Sequence, residues 1–127
     1  MARTWCRSGA RRTCSFQATI EAVEVRQYQT ADGRSPFAEW LADLRDRRAL
    51  QAILARIVRM QAGNRGDWKA LGAGLFELRI DTGPGYRVYC GQDGAVLVLL
   101  LCAGDKRTQS KDIEHARDYW KDYQGRR

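Results

Sequence analysis

Arg79 and Arg87 flank the segment Asp81-Thr82-Gly83-Pro84-Gly85, which is rich in turn formers. Before it, Phe76, Leu78 and Ile80 alternate with Glu77 and Arg79; after it, Tyr86, Val88 and Cys90 alternate with Arg87 and Tyr89. This period of two predicts a β-hairpin over Leu75 to Cys90. Pairing Ile80 with Tyr86 sets Leu78 against Val88 and Phe76 against Cys90 on an apolar face. The same register sets Arg79 directly opposite Arg87, and Glu77 opposite Tyr89, on the other face. Like charges directly opposite one another are unfavourable in a sheet. An anion or a carboxylate between them removes the conflict, and the pair therefore points to phosphate. Two arginines on a solvated face can also splay into water at little cost, since exposed charge is the default on a surface. The hairpin alone leaves both readings open.

Other cations fall near the pair. Lys106 leaves the end of the following strand, Lys69 lies in the entry to the hairpin, Lys111 follows Lys106, and Tyr89 adds a ring and a hydroxyl. Such a set can hold an RNA phosphate, stack a base and stabilise charge at phosphorus. Cleavage through the neighbouring 2′-OH needs that hydroxyl deprotonated, the pentacoordinate phosphate stabilised and the leaving 5′ oxygen protonated. Arginines meet the second need with two-pronged hydrogen bonds, and a lysine crowded by arginines gives up its proton more readily. The lone histidine, His115, falls off the apolar stripe of the last helix and reads as polar surface rather than a base. There is no GxxxxGK[ST], no GxGxxG and no carboxylate cluster, so neither a nucleotide cofactor nor magnesium is expected. Cys6, Cys14, Cys90 and Cys102 form no CxxC or CxxH, so no other metal site is expected. Cys90 and Cys102 read as small apolar residues of a reducing cytosol, with a disulfide framework as the alternative.

The elements that must position these residues follow from pattern. Ile20 to Tyr28 reads as a first strand. Ser35-Pro36 opens a helix, serine as cap and proline in the first turn, with Phe37, Trp40, Leu41 and Leu44 on one stripe. Asp46 caps a second helix carrying Leu50, Ile53, Leu54, Ile57 and either Met60 or Gln61, which Gly63-Asn64 ends. Arg45, Arg47, Arg48, Arg56 and Arg59 lie off the stripe, either as solvated surface or as a phosphate-steering face. Gly66 to Leu71 reads as a loop. Gly91-Gln92-Asp93-Gly94 reads as a second turn that pairs Cys90 with Ala95, Val88 with Leu97 and Tyr86 with Leu99. Val96, Val98 and Leu100 then share the face of Arg87 and Tyr89, and the strand, apolar on both sides, is central and covered on both faces. A last helix starts at about Thr108 or Ser110, with Ile113, Ala116, Trp120 and Tyr123 inward. The class is α+β: an N-terminal strand, an α-helical hairpin, an antiparallel β-meander and a C-terminal helix, in one domain over residues 20–127.

The net charge is +7, but Arg3, Arg7, Arg11 and Arg12 supply four of those charges within residues 1–20, which hold no acid. The overall balance is therefore not itself an argument for nucleic acid; placement within the fold must carry it. Residues 1–19 lack the apolar core of a secretory signal. They loosely match an organellar transit peptide, but a flexible basic extension or an over-called translation start is the preferred reading; Trp5 and Phe16 could dock on the domain. The longest apolar run, Ala95 to Cys102, is only strand length. A cytoplasmic protein is expected.

The segments GNRGDWKALGAGLFELRI, GPGYRVYC and LLLCAGDKRTQSKDI together resemble the RelE/ParE superfamily of toxins, and most closely its phage Gp49-like, HigB-type branch of addiction-module killer proteins. The resemblance runs from about Val23 to Tyr123. It implies a RelE-like two-layer fold and a type II toxin, monomeric alone and hetero-oligomeric with a cognate antitoxin, often a helix-turn-helix protein. It also implies metal-independent cutting of mRNA on the ribosome. By position it makes Arg87 the catalytic arginine, sets Arg79 where a catalytic lysine stands, and sets Lys106 near a basic residue that contacts the reacting phosphate. Lys69, Tyr89 and Lys111 are the accompanying RNA-binding candidates. The chain departs from the pattern at Ser110-Lys111-Asp112, where a tyrosine is usual, and at Glu77, where a lysine is usual. The general base is therefore open among Lys106, Lys111, Tyr89 and Glu77. The alternatives are a ParE-like poison of DNA gyrase, acting through surface helices, and a non-catalytic remnant that only binds its antitoxin.

Overall fold

The structure, a computed structural model, describes residues 22–126. The basic segment 1–19, with Cys6 and Cys14, lies outside the described residues. The elements are β1 (Glu24–Gln27), α1 (Pro36–Asp43), α2 (Arg47–Gln61), β2 (Trp68–Gly72), β3 (Leu75–Ile80), β4 (Tyr86–Asp93), β5 (Leu97–Asp105), a 3-10 turn (Lys106–Thr108) and α3 (Gln109–Arg126). The five strands form one sheet in the order β1-β5-β4-β3-β2. β1 runs parallel to β5, and every other neighbouring pair is antiparallel. The protein is α+β.

The helix starts are where capping chemistry puts them. Ser35 Oγ accepts from the amide of Ala38 at 3.2 Å, with Pro36 in the first turn. Asp46 Oδ1 accepts from the amides of Arg48 at 3.0 Å and Ala49 at 3.2 Å. Each cap satisfies amides that the helix itself leaves unpaired, and is worth about 1 kcal/mol.

The helical hairpin covers one face of the sheet. Phe37, Ala49, Ile53 and Met60 pack on Phe76, Leu78, Ile80, Val88, Cys90, Val98 and Leu100. To these two layers α3 adds a third, partial one on the other face. There Ala116 and Trp120 pack on Leu75, Tyr89, Leu99, Leu101 and Cys102, flanked by Ile113 and Tyr123. The indole of Trp120 lies so close over Gly91 that any Cβ there would overlap it, and its Nε1 donates to the carbonyl of Ala73 at 2.8 Å. Among the described residues no helix is long and apolar enough to cross a membrane.

Four expectations need correction. Among the described residues the first strand spans Glu24–Gln27 and stops short of Tyr28, while Ile20 and Glu21 lie outside the described residues. Gly66 to Leu71 is not all loop, because Trp68–Gly72 pairs with β3 as an edge strand bent by a bulge at Ala70/Gly72. Gly91-Gln92-Asp93 is not a turn but the end of β4, so Val88 lies opposite Ala103 and Cys90 opposite Leu100. Finally, a bulge between Tyr89 and Cys90 and that changed register put Val98 and Leu100 on the helical-hairpin face, away from Arg87.

Candidate anion-binding site

The first hairpin has the expected register: Ile80 faces Tyr86, Arg79 faces Arg87 and Glu77 faces Tyr89. Lys69 on β2 extends the Glu77–Tyr89 row, Cys102 on β5 closes it, and Gly104 lies opposite Arg87. The conflict between the two guanidiniums is met by the side chain two residues before Arg79. Glu77, 0 % exposed, puts Oε2 at 3.1 Å from Arg79 Nε and 3.4 Å from Arg87 Nε. The first contact is an aligned hydrogen bond, whereas the second is an ion pair only, leaving Arg87 Nε without an aligned acceptor. The other carboxylate oxygen, Oε1, accepts from Gln109 Nε2 in the first turn of α3 at 3.2 Å. A buried carboxylate survives only when paired and hydrogen-bonded, and these three groups meet that need.

One carboxylate against two guanidiniums leaves the cluster with an excess positive charge. The cluster is open on one side. The Arg79 side chain keeps 34 % of its surface accessible and the Arg87 side chain 10 %. Arg87 Nη1 is further held by the carbonyl of Tyr86 at 3.3 Å. Arg79 is thus the outer member and Arg87 the floor.

The remaining sequence candidates divide. Lys106 is exposed at the turn end of the hairpin, its aliphatic chain lying on Gly85, where an added Cβ would come within 3.2 Å of Lys106 Cδ. Lys69 and Lys111 are exposed on β2 and α3. Among the described residues none of these three lysines joins an ion pair. Tyr89 does not serve as a stacking ring, because α3 covers it completely and it is 0 % exposed. Burial drives its hydroxyl pKa well up, the charges of Glu77 and Asp112 add to this, and Arg87 opposes it. A sealed phenol that holds its proton this tightly is no general base. Glu77 is likewise sealed from solvent, between two cations. Lys106 and Lys111 are the exposed members of the set of base candidates, and His115 is exposed on α3 beside Tyr119.

Two supporting residues carry no signal in the sequence pattern. Gln109 is one. Arg56 is the other: it is half-buried rather than a solvated helical arginine, and it donates to the carbonyls of Arg79, Arg65 and Asp67. Gly66, at φ +72°, leaves room for that guanidinium, since a Cβ there would sit 2.8 Å from Arg56 Nε. Arg65 also sits on aromatic faces, 3.9 Å from the Phe76 ring centroid and 4.6 Å from that of Trp68. Among the described residues no group of three or more His, Cys, Asp or Glu side chains is placed to hold a metal ion.

Fold and site define a small α+β protein with a half-open, net-cationic cluster built on adjacent strands. No model of a known protein family matches the chain. It is 56 % identical over 81 residues to an uncharacterized protein of Haemophilus influenzae, an alignment that covers 64 % of this chain and 82 % of that protein. The chain belongs to the family of that protein.

Proposed function

We propose that this protein is the toxin of a type II toxin–antitoxin pair and an RNA endonuclease that acts on mRNA at the ribosome in the cytoplasm. The observation that carries the reading is the cross-strand pair Arg79–Arg87, held on one face with one carboxylate between them and open to solvent at Arg79. A net positive fork of this kind suits a phosphodiester. The 2′ oxygen attacks phosphorus and its proton passes to a base, for which exposed Lys106 or Lys111 is suited. Arg79 and Arg87 stabilise the charge on the pentacoordinate phosphate; the P–O5′ bond breaks as the protonated base returns its proton to the leaving 5′ oxygen, and a 2′,3′-cyclic phosphate remains. The resemblance to HigB-type toxins, carried by the segments around Arg79, Arg87 and Lys106, adds an antitoxin as partner.

A second reading has its own observation. Glu77 takes up part of the charge of both arginines and Arg87 is largely buried, which suits a non-catalytic relative that only binds an antitoxin. Induced expression of wild type and of Arg79→Ala, Arg87→Ala and Lys106→Ala, with growth and transcript ends scored together, separates the two. Cuts inside codons by wild type, lost in the arginine variants, support the nuclease. Growth arrest without cuts, together with altered supercoiling by gyrase, points to a gyrase poison. Neither effect leaves the antitoxin-binding relative.

A further inference from the structure

We propose that Glu77 is the positioning residue of this site: it fixes the Arg79 and Arg87 guanidiniums in register before any ligand arrives. The inference rests on the reading of the site as a grip on RNA phosphate, and deepens it. Glu77 is completely buried, yet its carboxylate meets side chains from three elements: it accepts hydrogen bonds from Arg79 on β3 and Gln109 on α3 and forms an ion pair with Arg87 on β4. Its contact with Arg79 is made at Nε, the inner edge of the guanidinium. Among the described residues no hydrogen bond engages the Nη atoms of Arg79. The outer edge, which carries the two-pronged geometry for a phosphate, is therefore free. An arginine tied at Nε loses rotamer freedom during folding rather than during binding, so a ligand meets a fork already ordered. Gln109 adds a link from the first turn of α3, so the packing of that helix also bears on the orientation of the pair.

The resulting expectation separates binding from chemistry. Glu77→Gln keeps the shape of the side chain and removes the charge. Two unneutralised cations then attract RNA at least as strongly, but their orientation is no longer set. The test uses the full chain with translating ribosomes and mRNA, and measures kcat and KM beside the thermal midpoint. Nitrogen-15 NMR of the arginine Nε–Hε groups is recorded on the free protein. Expected for Glu77→Gln are a kcat at least tenfold lower, a KM unchanged or lower, and faster solvent exchange at the Arg79 Nε–Hε group. A kcat within twofold of wild type in a folded Glu77→Gln protein overturns the proposal, as does a rise in KM that accounts for the whole loss.

Where Glu77→Gln fails to fold, Gln109→Leu carries the test, because it removes one contact to Glu77 Oε1 and leaves every charge in place. A threefold or greater fall in kcat at unchanged KM supports the proposal, and an unchanged kcat overturns it. A wild type that cuts no RNA overturns the functional reading and this inference with it. A wild type that cuts, beside an equally active Glu77→Gln, overturns the inference alone.

Discussion

Arg56, on α2, donates from its guanidinium to the main-chain oxygen of Arg79, on β3. The helix that covers one face of the sheet thereby fixes the backbone from which a cation on the opposite face projects. The same side chain reaches the carbonyls of Arg65 at 2.7 Å and Asp67 at 2.8 Å, and the Asp67 oxygen also accepts from the amide of Arg79 at 2.9 Å. Arg56→Ala is expected to destabilise the protein by about 2 kcal/mol, by leaving partly buried acceptors short of a donor. Arg56→Lys recovers less than half of this, because a single ammonium cannot reproduce the fork. Urea unfolding followed by circular dichroism measures both.

Close approach of α3 to the sheet rests on glycines. Gly104 lies opposite Arg87, and a Cβ there would overlap the Asp112 carboxylate and come within 3.0 Å of Thr108 Oγ1, in the 3-10 turn that leads into α3. Gly104→Ala is therefore expected to cost about 1–3 kcal/mol through forced displacement of the helix start. That displacement also strains the Gln109–Glu77 contact, so the variant loses thermal stability and fork order together. A thermal melt beside the arginine Nε–Hε spectrum checks this.

The first hairpin was legible because its two faces differ sharply: alternation gave the faces, and pairing Ile80 with Tyr86 across the turn residues set Arg79 against Arg87, the register observed. Glu77 shares the parity of Arg79, so its place on that face was also legible, but its bridging role was not. Whether a carboxylate turns toward its neighbours or toward water depends on what covers it, and the cover is Gln109, distant in sequence. The second hairpin misled because Gly91 reads as a turn residue, while here it is a strand glycine making room for Trp120. β2 escaped notice since a short, bulged edge strand among glycines shows no alternation. The face of Tyr89 was legible too and its burial was not, because the strand pattern gives the face but not the helix lying on it.

A grip on phosphate predicts a particular salt dependence. Single-stranded RNA binding loses about 0.7 in the slope of log affinity against log salt for each phosphate contact removed. Arg79→Ala is expected to reduce the slope by roughly that amount. Arg26→Ala, on the far edge strand and paired with Glu24, leaves it unchanged. Filter binding of a short RNA across a salt series reads the difference. Equal slopes for wild type and Arg79→Ala would remove Arg79 from the RNA contact.

The far end of α3 makes a prediction at high pH. Tyr28 donates to Asp122 Oδ2 at 2.5 Å, and Arg126 Nη2 lies 2.6 Å from the same oxygen. Burial, then the hydrogen bond to Asp122, push the Tyr28 pKa up from its usual 10 to about 12. The folded state thus holds this proton where the unfolded state has released it. Its contribution to stability is complete below pH 10 and is lost as pH rises from about 10 through 12. Tyr28→Phe is expected to make the alkaline fall in stability shallower by up to one proton. Asp122 shows the opposite sign: the Tyr28 and Arg126 hydrogen bonds hold its carboxyl below the ordinary range. Its contribution is present above about pH 4 and lost as pH falls through the folded value, so Asp122→Asn flattens the acid limb instead. Urea midpoints from pH 3 to pH 12 for the three proteins test both limbs. An alkaline slope in Tyr28→Phe as steep as in wild type would show that the hydroxyl at position 28 titrates alike in the folded and unfolded chains.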